Sequence, residues 1–202
     1  MGDEVGIRDR LWEGTRDKRF RRILRHVDTG RSGGGTLITE PVVVWHGSHR
    51  EWYEAFDLDQ TLLARAIPVT ADRQHCRYEV RDPDDQLILG LRVSREQGHQ
   101  ILAADGALVA TMRFARWLRR RTPQPLLTGE TSIGSVRELR RHIVIEDAAG
   151  QTAATSRPVV RSSYSVTYVV EIGDDASTAL RCVALAAGIL HDWTRYMYEP
   201  GG

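Results

Sequence analysis

Between Ala179 and Leu190 the chain reads ALRCVALAAGIL, a stretch in which Arg181 is the one polar side chain. A helix over such a stretch is apolar on every face, so it has to be buried on every face. It falls well short of the ~20 residues that cross a bilayer, so protein must supply the burial. With its side chains a helix is about 10 Å across. A barrel of roughly eight strands is already filled by its own interior side chains. Enclosing the helix therefore demands a wider barrel, and Ala184, Ala186, Ala187 and Gly188 leave room for the wall to approach. The pattern predicts a helix over about 176–198, behind a Gly173-Asp174-Asp175 turn. Asp175 or Ser177 serves as its N-cap, and His191-Asp192 caps and orients its far end.

The rest of the chain supplies the wall. YEAFDLDQTLLARAI and YEVRDPDDQLILGLR begin 25 residues apart, at Tyr53 and Tyr78. In register they match Tyr with Tyr, Glu with Glu, Asp57 with Asp82, Asp59 with Asp84 and Leu62 with Leu87. Weaker copies are QILAADGALVATMRF, turning at Asp105-Gly106, and HIVIEDAAGQTAATS, turning at Asp147 and Gly150. Each copy reads as a strand, an Asp-led turn and a second strand; Asp bonds the turning backbone and Gly accepts positive φ. A helix from Trp52 to Ala66 also fits the apolar spacing there, but the match to the Tyr78 copy favours a strand pair. In the last strand Tyr164, Val166, Tyr168, Val170 and Ile172 alternate with Ser165, Thr167 and Glu171, as one buried face requires. With TLITEPVVVW and the segment around Ile133 to Val136 added, the count reaches about eleven strands. The expected fold is mainly β: a closed antiparallel barrel of about 11–12 strands around a buried C-terminal hydrophobic helix.

An amphipathic helix is expected ahead of the barrel, from about Ile7 to Val27. Phe20, Ile23, Leu24 and Val27 form its apolar stripe, and Lys18, Arg19, Arg21, Arg22 and Arg25 the other faces. GRSGGG then reads as a flexible linker, dividing the chain into residues 1–35 and a barrel domain, 36–202. Formal net charge is only +1, so any electrostatic binding must come from local patches. Cys76 and Cys182 give neither a disulfide framework nor metal-ligand spacing, and the N-terminus has no apolar signal-peptide core. A cytoplasmic protein is expected, with at most peripheral contact to a membrane; no cofactor is implied.

Taken together, RYEVRDPDDQLIL, ILAADGALVATM, IGSVRELRRHIVIEDAAG and ALRCVALAAGILHD resemble the tubby-like superfamily. Within it the chain is most similar to the phospholipid scramblases and LURP-one-related proteins, from about Thr36 to Tyr198. The resemblance implies a barrel whose strands turn at Asp-x-x-Gly and whose closing Ala/Leu-rich helix ends at an Asp, here Asp192. It also implies recognition of anionic phospholipid. The chain departs from the family in having no cysteine cluster suited to palmitoylation, no proline-rich N-terminus and no calcium loop. A fold does not carry an activity with it, so lipid scrambling is not implied.

Four groups of residues bear on function. Arg113, Arg116, Arg119, Arg120 and Arg121 surround Trp117, where a strand runs towards Pro123. A cluster of about 4–8 basic residues suits anionic lipid, guanidinium groups fork onto phosphate, and an indole suits the interface. The plainer reading is a solvated strand end whose arginines discourage edge pairing. The basic helix around Lys18, Arg19, Arg21, Arg22 and Arg25 can lie on a membrane or dock on a protein partner, or simply pack on its own domain. His46 and His49 have chelating spacing, but a metal site needs a third ligand, which His75 supplies only if the fold brings it there. Asp82, Asp84 and Asp85, like Asp57 and Asp59, lack the calcium-loop pattern and read as solvated turn chemistry. With no nucleophile elbow and no phosphate loop, an enzyme ranks last. Near-neutral charge disfavours nucleic acid. What remains is a non-enzymatic module binding anionic phospholipid or a membrane surface, or a protein partner docked through the N-terminal helix.

Overall fold

The computed structural model describes residues 36–47, 52–71, 75–94, 98–113, 122–139, 142–161 and 166–198. The N-terminal helix and glycine linker expected from the sequence lie outside these residues.

Asp-led turns organise the fold. Asp57, Asp82 and Asp147 each donate a backbone N–H to the carbonyl four residues on, and each side chain accepts the N–H of that same residue at 2.7–2.8 Å. The residue three after each Asp (Gln60, Asp85 and Gly150) takes positive φ, at 68°, 63° and 78°. The 103–107 turn repeats the backbone pattern with Gly106 at φ 85°, though Asp105 accepts the Ala107 N–H from within the turn. Next to each of these turns the pairing register slips by one residue, a bulge that adds twist and helps the sheet curl. The repeat read from the sequence is thus one hairpin geometry used four times.

Among the described residues these hairpins make twelve strands: β1 (Val42–Gly47), β2 (Tyr53–Phe56), β3 (Leu62–Ala71), β4 (His75–Arg81), β5 (Leu87–Ser94), β6 (His99–Ala103), β7 (Leu108–Met112), β8 (Gln124–Thr128), β9 (Thr131–Leu139), β10 (His142–Asp147), β11 (Thr152–Arg161) and β12 (Val166–Ile172). Each pairs antiparallel with its chain neighbours, and β12 returns to β1 to close the barrel. The strand expected from TLITEPVVVW is shorter than its text. Residues Thr36 to Glu40 form a turn in which Thr39 bonds Thr36 through side chain and backbone, and β1 begins only at Val42. Trp52 to Ala66 is a strand pair, not a helix.

One helix, α1 (Thr178–Tyr198), follows β12. The Ser177 hydroxyl accepts the Leu180 N–H, so Ser177 rather than Asp175 is the N-cap. Arg181, the polar exception in the apolar run, turns back to donate to the carbonyls of Gly173, Asp174 and Ala176. From Cys182 to Leu190 the large and small apolar residues alike are at most 3% exposed, and they share one core with the inward faces of the strands. In β12 the inward set is Val166, Tyr168, Val170 and Ile172, as the alternation predicts. At Gly188 an added Cβ would sit 3.0–3.2 Å from the Tyr168 ring, so absence of a side chain is what lets wall and helix touch. A twelve-stranded barrel with one long helix is consistent with the general tubby-like architecture. No helix among the described residues is long and apolar enough to cross a membrane.

The meander gives the barrel two different ends. Asp-led turns and the start of α1 occupy one. At the other, here the loop end, β1, β3, β5, β7, β9 and β11 finish, their partners begin, and α1 finishes.

Candidate functional site

The loop end is polar inside as well as out. Within the barrel, Tyr53 Oη donates to Asp192 Oδ2 at 2.6 Å. His191 Nε2 lies 3.2 Å from Glu138 Oε1, and its Nδ1 faces Tyr168 Oη at 3.4 Å. Thr194 Oγ1 meets His99 Nε2 at 2.9 Å while also bonding the Leu190 carbonyl. Burial, then the neighbouring Asp192 carboxylate, pushes the Tyr53 hydroxyl well above the usual phenol range. Burial, followed by contact with Cys76, raises that of Tyr78. Both phenols thus stay neutral donors, and burial holds His99 down to about 4. His191 and Asp192, expected to cap and orient the helix end, do orient it, tying it sideways to three strands, but do not cap it, since the helix runs on to Tyr198. This set locks α1 in place. Among the described residues no three of His, Cys, Asp and Glu converge as a metal-binding group.

The outer face of the same end carries a different arrangement. Cross-strand register sets Thr70 opposite Arg77, Arg77 opposite Arg92, Arg92 opposite Gln100, and Gln100 opposite Thr111. Side chains directly opposite share a face of the sheet, so this is one row of polar groups on the outside of β3 to β7. Thr70, Arg77, Arg92, Ser94, Gly98 and Gln100 line a groove of about 250 Å³ there. Arg77 reaches Glu79 at 3.0 Å, and Arg81 reaches the same carboxylate at 2.8 Å. Arg92 is exposed, with no carboxylate partner among the described residues. Two arginines directly opposite each other destabilise a strand pair by a few tenths of a kcal/mol up to about 1 kcal/mol. An anion between them would offset that penalty, with Arg92 as a forked donor beside Arg77, which also holds Glu79.

Arg113 lies beside one wall of this groove, at Gly98. It follows β7 at the loop end, is exposed, and its side chain lies along Gly98, near enough that an added Cβ would sit 2.9 Å from Arg113 Cγ. Of the basic cluster expected from the sequence, Arg113 is the described member; Arg116, Trp117, Arg119, Arg120 and Arg121 lie outside the described residues. So do Lys18, Arg19, Arg21, Arg22 and Arg25, and also His49. His46 is described: its Nδ1 bonds Thr167 Oγ1 across the β1–β12 pair at 2.8 Å. Of the acidic turn residues, Asp57 and Asp82 behave as turn chemistry, each side chain accepting the backbone N–H four residues on.

Sequence reasoning passed over Arg77 and Arg92. Both stand at outward positions of alternating strands, CRYEV and LGLRV, where arginine is unremarked. The signal that pairs them is the offset between these strands about the Asp82 turn. Counting outward from that turn, with one residue allowed for the bulge, puts Arg77 against Arg92.

No protein-family model, curated protein or solved structure matches this chain.

Proposed function

We propose that the protein is a non-enzymatic module of the scramblase-like and LURP-one-related kind that binds the phosphate-bearing headgroups of anionic phospholipid. The observation that supports it best is the Arg77–Arg92 pair, directly opposite each other on a groove that Thr70, Ser94 and Gln100 also line. Guanidinium pairs prefer phosphate because its oxygens accept bidentate bonds in a matching geometry. In the sequence Arg113 is followed by Arg116, Trp117, Arg119, Arg120 and Arg121, so the chain stays basic beyond the end of β7. The enclosed polar residues around His191 and Asp192 hold the helix, and the exposed arginines of the outer face support a binding role for the surface.

Co-sedimentation tests this reading. Vesicles containing phosphatidylserine should retain the full chain in a salt-sensitive way, and vesicles of phosphatidylcholine should not. The variant R77Q/R92Q should lose roughly 10- to 30-fold in apparent affinity, about 1 kcal/mol for each arginine at the surface. Equal recovery on neutral and anionic vesicles at low salt rejects the proposal.

A further inference from the structure

Exposed large apolar side chains are few among the described residues, and three stand beside one another near the groove: Trp52 at 52% exposure, Ile67 at 42% and Val69 at 48%. Register explains the grouping. Tyr53 pairs with Ala66, both facing inward, so the preceding Trp52 and the following Ile67 are the next cross-strand neighbours, on the outer face. Ile67 is opposite Glu79, whose outward side chain bridges Arg77 and Arg81. Val69 is the extra residue of the bulge between Pro68 and Thr70, and Thr70 is the groove's first wall. An apolar edge therefore adjoins a row of arginines, at the same end of the barrel.

From this juxtaposition we infer that Trp52, Ile67 and Val69 form a shallow insertion edge that enters the interfacial layer of an anionic bilayer while the adjoining arginines hold headgroup phosphates. The inference rests on the headgroup reading above and adds the orientation of docking: β2 and β3 enter first at the loop end. Charge complementarity selects the occupant. A bilayer offers acyl chains at one level and phosphates a few ångströms above, so it matches an apolar edge flanked by guanidinium groups. A soluble phosphate compound has nothing to offer Trp52, Ile67 and Val69.

The test separates edge from groove. In the full chain, W52S/I67S/V69S should bind phosphatidylserine vesicles at least tenfold more weakly than the parent. Its binding to glycerol 3-phosphate, a headgroup without acyl chains, should be unchanged, as should its thermal midpoint. R77Q/R92Q should lose both ligands. In a second measurement, Trp52→Cys carrying an environment-sensitive dye should shift to the blue with anionic vesicles; native Cys76 and Cys182 are buried and leave position 52 as the reactive thiol among the described residues. If the apolar variant binds vesicles like the parent, or the dye stays in water while vesicles bind, the insertion edge is wrong and the groove reading survives. If R77Q/R92Q binds both ligands normally, the groove reading falls instead. If the apolar substitutions abolish a concentration-dependent dimer and leave vesicle binding intact, the edge belongs to a second copy of the chain and the inference is overturned.

Discussion

Two turn residues carry a conformation their side chains disfavour. Gln60 and Asp85 sit at positive φ in the same turn position that Gly106 and Gly150 fill in the sister hairpins. A residue with a Cβ pays roughly 1 kcal/mol or more there, partly offset because glycine costs more entropy to order. Gln60→Gly and Asp85→Gly should each raise stability by about 0.5–1 kcal/mol, read as a higher urea midpoint with unchanged slope. Asp147→Ala should lower it by about 1 kcal/mol, since its carboxylate accepts the N–H groups of Ala149 and Gln151. His99 gives a pH dependence. Burial takes its pKa from 6.5 to about 4, so the folded protein keeps it neutral where the unfolded chain is already protonated. The unfolded state then binds more protons below pH 6.5, and stability falls as pH drops from about 6.5 to 4, by up to about 3 kcal/mol. Above pH 6.5 the contribution is complete. Denaturant midpoints between pH 7.5 and 4.5 should show the loss, and His99→Gln should flatten that part of the curve.

At the scale of elements the helix and the wall are made for each other, and this was the most legible part of the sequence. ALRCVALAAGIL states its burial because no face is polar, and the Tyr53 and Tyr78 copies state their hairpins because Asp and a positive-φ residue recur at fixed spacing. β8 was harder to see: QPLLT has no clean alternation and carries Pro125, which cannot donate to a ladder. The groove was not legible as a site because it depends on partners across strands. Arg113 was singled out for its arginine neighbours, whereas Arg77 and Arg92 meet only through register, which a one-residue bulge at Val80/Arg81 shifts. The polar ties of α1 were hidden for the same reason, Tyr53 and Asp192 being 139 residues apart. That tie makes an element-scale prediction. Tyr53→Phe removes a charge-directed donor from a buried carboxylate and should cost about 1.5–3 kcal/mol, the range for a hydrogen bond to a charged group. Gly188→Leu should cost more, by driving a branched side chain into the Tyr168 ring. Ranking these two variants by thermal midpoint checks that close approach outweighs any one hydrogen bond in seating the helix.

A closed barrel has no edge, but it need not be equally strong all the way round. Most neighbouring strands share four to seven paired positions, as in β11–β12 and β4–β5, whereas β7 and β8 share one, Thr111 with Leu127. The Thr128 hydroxyl adds a bond to the Val109 carbonyl. β7 and β8 are the strands joined by residues 113–123, the stretch rich in arginine. With few ladder bonds and a proline in β8, this seam is where the wall should open at least cost, because local opening follows the density of bonds and contacts that must break. On the opposite side β12 is paired along its length to β1 and β11 and packs on α1, so its amides should open only with the whole domain. Native-state hydrogen exchange should therefore find the amides of β7 and of Leu126 and Leu127 exchanging well before those of Tyr168 to Val170. Uniform protection around the barrel would show that the helix, touching both sides, couples the seam to the rest. A seam that does open first would show that the wall can part between β7 and β8 while the core around α1 stays seated.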